Sequence, residues 1–585
     1  MQAETQILTL ESQSIHDFEF TCGYYCLMKR VFRFENSLVQ ILLILATLLI
    51  TPWWAIEPIN AVKFQVIVVF GFVAAALILS NLDVVSERWR HQKVTIVLSL
   101  CFTLGILSTL MISRLDWRQQ LYGALGRNLG VFAYLSIIFV FLYVVLLTDY
   151  SFDSVVLKAL LTCGALSSFY GLLQSAKFDP IGWNNKYSSQ IGFLGNPNFQ
   201  SAFLGIYSIL LTHILLNKGK RLKTSLAILM SLVLNLFLIL TSDSIQGVYV
   251  FSAGAIVLFL DKLYQSKFKS LTVPTSLLLV GGVSITTLGL LQKGPFSFLY
   301  QPSISFRGDY WRAGLNMFRD SPVYGFGQSS FGEYYLLYRD SFAMERRLDG
   351  TVTNSAHNVL IDLAATGGII VVVPFLTLLL YTLYVFLRVY KSDYRNETNI
   401  VLFFALWLGF LSQALISVQF LPITLWGWIF MGIILRAAFD ISHRINSFGA
   451  KHPKKIKLKQ VALKKSPSLI IWSSTIVAIL IGSLPLKASI EEKSAYESKN
   501  MDRIINAAYV EIQDPKRFLT IAALLLRNGY PDQALSLASD AVRLNSRETD
   551  AWKIIAYLSP EGSIERFNAN SKLLELDPLG FKVDR

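Results

Sequence analysis

Histidine, arginine and amide side chains beside apolar segments are the residues of this chain whose types and spacing could do chemistry. The stretch 351–368 reads TVTNSAHNVLIDLAATGG, so His357 and Asn358 close a polar run just before an apolar one. His357 is one of six histidines in 585 residues. Read as the first residue of a membrane helix, it faces the positive end of the helix dipole. That position favours the neutral imidazole, the form a general base needs near neutral pH, and the same helix end suits a phosphate anion. Upstream, 303–331 reads SISFRGDYWRAGLNMFRDSPVYGFGQSSF. A helix over 305–318 puts Arg307, Trp311 and Gly314 on one face, and Arg312 with Arg319 on another. A guanidinium among aromatics at a membrane surface suits an anionic headgroup or a diphosphate, because it offers paired donors and keeps its charge. The competing reading is an interfacial amphipathic helix with snorkelling arginines.

Two shorter polar signals stand out. In FLGNPNFQSAFLG (193–205) the Asn-Pro-Asn turn places Asn196 and Asn198 at the entrance of a helix, where amides can cap it or bind hydroxyl-rich ligands. In LTSDSIQGVYV (240–250) a tight turn carries Asp243 and Gln246, with capping by Ser242 or Asp243 the simpler reading.

These residues need elements to hold them, and composition identifies those elements. The chain is 53% hydrophobic and 16% charged, with a mean hydropathy of +0.48. Its apolar residues gather in blocks such as 38–55, 62–80, 94–112, 129–147, 202–216 and 271–291, lengths that cross a bilayer as helices. The expected fold is an all-α polytopic membrane bundle of about 12–13 transmembrane helices. The first block starts too late for a cleaved signal peptide, so an uncleaved first helix is expected.

Basic residues occupy alternate connections: Lys29, Arg30 and Arg33; Arg88, Arg90 and Lys93; Lys218, Lys220, Arg221 and Lys223; Lys262, Lys267 and Lys269; Arg388, Lys391 and Arg395; and the run 444–465. The positive-inside rule then sets the N-terminus in the cytoplasm and the C-terminus outside, and explains the net charge of +14 without nucleic acid. Cys22, Cys26, Cys101 and Cys163 have no zinc-site or disulfide spacing, so neither a metal nor a cofactor is expected. The longest outer connections are 174–199 and 292–356, and a loop of the second's size is more often functional than incidental.

The expected organisation is a cytoplasmic segment (1–37), a membrane domain (38–440) with the extracytoplasmic loop 292–356, a basic cytoplasmic loop (441–467), a last span (468–486) and a small extracytoplasmic α-helical domain (487–585). Within that domain, amphipathic helices over 517–528 and 531–544 are joined by Gly529-Tyr530, and Ala534, Ala538 and Ala541 permit close packing. IQDP (512–515), RLNS (543–546) and ELDP (575–578) recur at 31 and 32 residues. That resembles the tetratricopeptide (TPR) repeat, a partner-docking module; an unrelated helical bundle is the plain alternative.

The order of the motifs carries a wider resemblance. GNPN before a span, a short Ser-containing turn, RGDYWRAGLNMFRDSPVYGFGQSSF in a large outer loop and AHNVLIDLAATGG opening the next span together resemble the bacterial O-antigen ligase and polymerase superfamily, over roughly residues 38–440. Some members also carry a C-terminal TPR region. The resemblance implies a GT-C type membrane glycosyltransferase, metal-independent and inverting, at the outer face of the cytoplasmic (inner) membrane. It would pass a glycan from undecaprenyl diphosphate to lipopolysaccharide core, a growing polysaccharide or a protein hydroxyl. On this resemblance His357 activates the acceptor, Arg307 holds the diphosphate, and Asn196, Asn198, Gln246, Trp311, Arg312 and Asn358 shape the substrate site. One departure stands out: many members have a Ser-Arg-Gly type turn where this chain reads Ser244-Ile245-Gln246-Gly247, so a second diphosphate-binding arginine is missing there. Two other classes compete: a transporter of inorganic carbon or another small anion, and a polysaccharide-assembly scaffold. A transporter should show ionisable residues near the bilayer midplane, and the spans are mainly Leu, Ile, Val and Phe.

Overall fold

The computed structural model describes residues 36–113, 115–183, 190–217, 221–300, 302–346, 352–396, 398–448 and 468–580. Cys22, Cys26, Lys29, Arg30 and Arg33 of the expected N-terminal segment, Lys218 and Lys220, and residues 449–467 of the basic loop lie outside the described residues. Every regular element among the described residues is helical. Among the described residues ten helices are long and apolar enough to cross a membrane, and Asn36–Leu48, Val131–Leu147 and Ile400–Ala414 are shorter apolar helices. The chain is a polytopic helical membrane protein.

Helix α1 (Asn36–Leu48) stops before Thr51-Pro52, and α2 (Asn60–Ser80) runs unbroken to Asn81. Only Asn81 separates α2 from α3 (Leu82–Ile112). The stretch holding Arg88, Arg90 and Lys93 is therefore helical rather than a loop, with a kink at Gln92 (φ −113°). Its long side chains are good helix formers, and the buried ones find backbone acceptors: Arg88 donates to the Thr148 carbonyl at 2.8 Å and Gln92 to the Leu435 carbonyl at 2.9 Å.

The bundle is built around α16 (Leu421–Phe448), whose apolar window is 94% buried, while none of the window of α10 (Thr272–Leu290) is buried. So α16 is the axis and α10 a peripheral helix, with Leu277 and Leu278 turned outward to where lipid would lie. Close helix approaches rest on small residues, as in other membrane bundles. Gly205 of α7 (Pro197–Leu216) and Gly247 of α9 (Gln246–Gln265) leave no space for a Cβ between the two helices.

The large loop over 292–356 is locked into the bundle through a break in α14 (Val359–Tyr390). Gly368 has φ +63°, a left-handed conformation that favours glycine, and lies against the backbone of Val323 and Tyr324. The Ser321–Gly327 stretch fills the break: Ile369 N–H donates to Pro322 O (2.8 Å), Phe326 N–H to Ala365 O (3.2 Å) and Gly327 N–H to Thr366 O (2.8 Å). Backbone groups freed by the kink are thereby satisfied, as a low-dielectric setting demands. SPVYGFG and AATGG are thus two halves of one joint, and that joint fixes α11 (Pro302–Asp320) over the start of α14. Tyr310, Ala313 and Met317 of α11 share a small core with Phe331, Tyr335 and Ala356.

Helix α17 (Ser468–Glu497) continues past the expected end of the last span and is tied to the loop between α1 and α2, with Glu57 N–H donating to Ser489 Oγ (2.7 Å) and Lys493 Nζ to Pro52 O (2.8 Å). Beyond it, α19 (Pro515–Arg527) and α20 (Pro531–Leu544) form one helical hairpin, and α21 (Thr549–Leu558) and α22 (Ile564–Leu576) a second. Gly529 at φ +80° makes the first turn, and Asp514 caps α19 with Pro515 at its first position. The hairpins rest on α12 (Phe331–Tyr338) of the 292–356 loop: Arg339 pairs with both oxygens of Asp577 at 2.9 Å, and the Arg547 guanidinium lies 3.9 Å from the Tyr334 ring centroid.

Candidate functional site

Five pieces of chain, distant in sequence, meet at the end of the bundle that carries the 292–356 loop. The first is the turn at the start of α7. Asn196 accepts from Asn198 N–H at 2.9 Å and so caps that helix. The second is the turn before α9, bound to the first by Ser244 Oγ–H donating to Asn198 Oδ1 at 2.8 Å. Gln246 at its end is buried, and its side-chain oxygen has no partner among the described residues. The third is α11, the fourth the 355–362 turn opening α14, and the fifth the 415–420 turn between α15 (Ile400–Ala414) and α16.

The fifth piece receives the others. Arg307 donates from Nε to Ile416 O at 2.8 Å, Asn358 donates from Nδ2 to Leu415 O at 3.0 Å, and Phe199 stacks on Phe420 with centroids 4.3 Å apart. Among the described residues no carboxylate pairs with Arg307. Its remaining hydrogen-bond contacts there are the Ser303 carbonyl and hydroxyl, at 3.3 and 3.4 Å. Burial lowers the pKa of this guanidinium from its usual value, with the Tyr249 and Tyr310 phenols also acting on its charge. A half-buried cation resting on neutral oxygens retains the capacity to bind an anion.

His357 does not begin the helix, contrary to the expectation from sequence. Asn358 is the N-cap, accepting from Leu360 and Ile361 N–H at 3.0 and 3.2 Å, and His357 stands one residue before it at φ +55°. The reason is chemical: the short Asn acceptor can reach the free N–H groups of the first turn and an imidazole cannot. The left-handed backbone is uncommon for a residue with a side chain. It is held by His357 N–H to Ser355 Oγ (3.2 Å) and by Ala356 N–H to the Asp362 carboxylate (2.8 Å). The His357 ring packs on Tyr310, centroids 5.0 Å apart. Its Nδ1 lies 3.2 Å from Ser355 O. A carbonyl oxygen only accepts, so this contact keeps the proton on Nδ1 and leaves the lone pair of the neutral ring on Nε2.

Tyr310, on which His357 packs, lies one turn from Arg307 on α11. Tyr310, Tyr249 and Asp362 carry no signal of their own in the sequence, because each acquires its place from a distant segment. Trp311, from the expected face of α11, has a buried indole N–H with no acceptor among the described residues. Arg312 is turned away: it pairs with Asp309 at 2.6 Å and with Asp340, so its charge is already met by carboxylates.

Residues 198–376 match the O-antigen ligase family. The match supports an O-antigen ligase domain within the chain, of the O-antigen ligase and polymerase superfamily. No curated protein matches the chain. The matched segment includes Asn198, the turn before α9, all of α11 and the His357–Asp362 turn.

Proposed function

We propose that the chain transfers a glycan from an undecaprenyl-diphosphate-linked donor to an acceptor hydroxyl at the outer face of the inner membrane. Its N-terminus would then be cytoplasmic and the C-terminal hairpins, read as a TPR-like docking module, extracytoplasmic. The observation that carries this reading is the His357 ring packed on Tyr310, with Arg307 one turn away on the same helix and met by no carboxylate among the described residues. His357 Nε2 takes the proton of the acceptor hydroxyl as its oxygen attacks the anomeric carbon. The bond from that carbon to the diphosphate oxygen breaks, and the electron pair leaves with the diphosphate. Arg307 stabilises the charge that develops there. Attack from the face opposite the leaving group inverts the anomeric centre, and no metal is required by this bond inventory. Trp311 Nε1, whose N–H meets no acceptor among the described residues, supplies a further donor, and Asn198 and Gln246 hold the two neighbouring turns. Lipopolysaccharide core, a growing polysaccharide and a protein hydroxyl remain the acceptor classes.

The test is chain transfer in membranes holding His357→Ala or Arg307→Ala at matched protein levels. Loss in both supports the assignment, and full transfer in both contradicts it.

A further inference from the structure

A second cation lies near the histidine turn, in a loop that none of the motifs above includes. Residues 123–130 read GALGRNLG, between α4 (Trp117–Tyr122) and α5 (Val131–Leu147). Gly123, Gly126 and Asn128 all have positive φ (83°, 74° and 55°). A Cβ on Gly130 would collide with Gly123 N and Leu121 O, so the two ends of the loop are pressed together. The loop is also tied from outside. Asn60 Nδ2 donates to Gly126 O at 2.7 Å, and Ser329 Oγ donates to Leu129 O at 3.4 Å. Glycine and asparagine adopt these left-handed conformations readily, and the cross-bracing holds the loop in one shape with Arg127 within it.

The Arg127 side chain is half-buried, and among the described residues it has neither an ion pair nor a hydrogen-bond acceptor. The carboxylates that act on its charge are Asp362 and then Glu57. Both are already engaged: Asp362 by Ala356 N–H and Glu57 by Ala61 N–H, each at 2.8 Å or less. Tyr134, one turn into α5 beyond the loop, accepts from Gln419 Nε2 at 3.2 Å. Gln419 belongs to the 415–420 turn that also receives Arg307 and Asn358, so the end of the loop meets the turn that holds the proposed site. A partly desolvated guanidinium without a direct ion-pair partner among the described residues is costly, and the turn before α9 has the uncharged Gln246 rather than an arginine. We propose that Arg127 is a second anion-binding residue of this site, holding with Arg307 the diphosphate of a lipid-linked substrate. This rests on the transfer reading above and assigns the charge that Gln246 cannot supply.

The experiment uses the full chain in lipid nanodiscs and measures binding of undecaprenyl diphosphate, with inorganic diphosphate as a second probe to separate a lipid-anchored from a free anion. Arg127→Gln is expected to weaken undecaprenyl diphosphate binding roughly 10- to 100-fold, the loss of one charge-assisted contact. Arg127→Lys should regain most of it, and the affinity of the Gln variant should depend less steeply on salt. A matching thermal transition for both variants shows that the loop has kept its fold. His357→Ala should bind the probe normally, which separates donor binding from chemistry. Unchanged binding and salt dependence in a folded Arg127→Gln variant overturns the proposal and leaves the transfer reading intact. Inorganic diphosphate binding tighter than the lipid form overturns the lipid-linked assignment. Absence of binding by the unaltered chain overturns both readings.

Discussion

Arg436 and Arg395 at one end of the membrane bundle are met by carboxylates, whereas Arg307 and Arg127 at the other have no carboxylate partner among the described residues. At the end away from the 292–356 loop, Arg436 of α16 pairs with Asp153 of α6 (Tyr150–Ser175) at 2.6 Å and donates to Asp149 O at 2.7 Å. Arg395 pairs there with Asp261. At the other end, Arg307 rests on carbonyl and hydroxyl oxygens, and Arg127 has no ion-pair partner among the described residues. The arginines of the 292–356 loop that do find carboxylates, Arg312, Arg339 and Arg346, pair with Asp309, Asp340 and Asp577 instead. Buried charges that a protein pairs internally fix its architecture. Those that it leaves without a carboxylate are available to a ligand.

That contrast can be broken by mutation, and the largest effect belongs to His357. His357→Ala is expected to lower transfer roughly 100- to 10,000-fold, the range for losing a general base, with the thermal transition unchanged. A melting temperature that fell in step with activity would make the residue structural. At the opposite end the balance reverses. Asp153→Ala strands the Arg436 charge and should cost about 3–5 kcal/mol on chemical unfolding in detergent, while the protein that remains folded transfers normally. Gly368→Ala tests the joint between them. A side chain there meets the Val323 backbone in a left-handed conformation, and a loss of about 1–3 kcal/mol should accompany weaker transfer, because α11 is no longer held over His357.

The smallest effect concerns the contact between the C-terminal hairpins and the 292–356 loop. Burial first, and then the nearby Glu333 carboxylate, raise the pKa of Glu548 from 4.5 to about 8; Asp550 and Asp514 act the same way and Lys516 opposes them. A carboxyl that binds its proton more tightly in the folded state stabilises that state below its unfolded pKa. The benefit fades as pH rises through the folded value. Docking of the hairpins should therefore be tighter at about pH 6 than at about pH 9, read as hydrogen-exchange protection over 331–338, and Glu548→Gln should flatten the difference.

How far the sequence reveals this depends on the range of each interaction. The membrane helices are legible because lipid requires long apolar blocks, and the Asn-Pro-Asn turn because capping is local chemistry, whereas the sequence puts the helix start at His357 and the structure caps it with Asn358. The segment around Arg88 misleads for the same reason: its charges look like a loop, yet their acceptors are carbonyls at the end of α5 and on α16, invisible in one dimension. The joint between Ser321–Gly327 and Gly368 joins stretches about forty residues apart. Tyr310 and Asp362 stand in plain view within recognised motifs, but only the fold shows that one packs on His357 and the other braces its turn. Arg127 carries a faint signal, three glycines around an Arg-Asn pair, and its lack of a partner among the described residues is a three-dimensional fact.

The most direct measurement of the central claim compares Arg307→Ala with the unaltered chain in glycan transfer and in thermal unfolding, on the same membrane preparation. The account expects transfer to fall at least about tenfold while the unfolding temperature holds, since no carboxylate is stranded by removing this cation. Retained transfer, or a loss of stability that accounts for the lost activity, would contradict it.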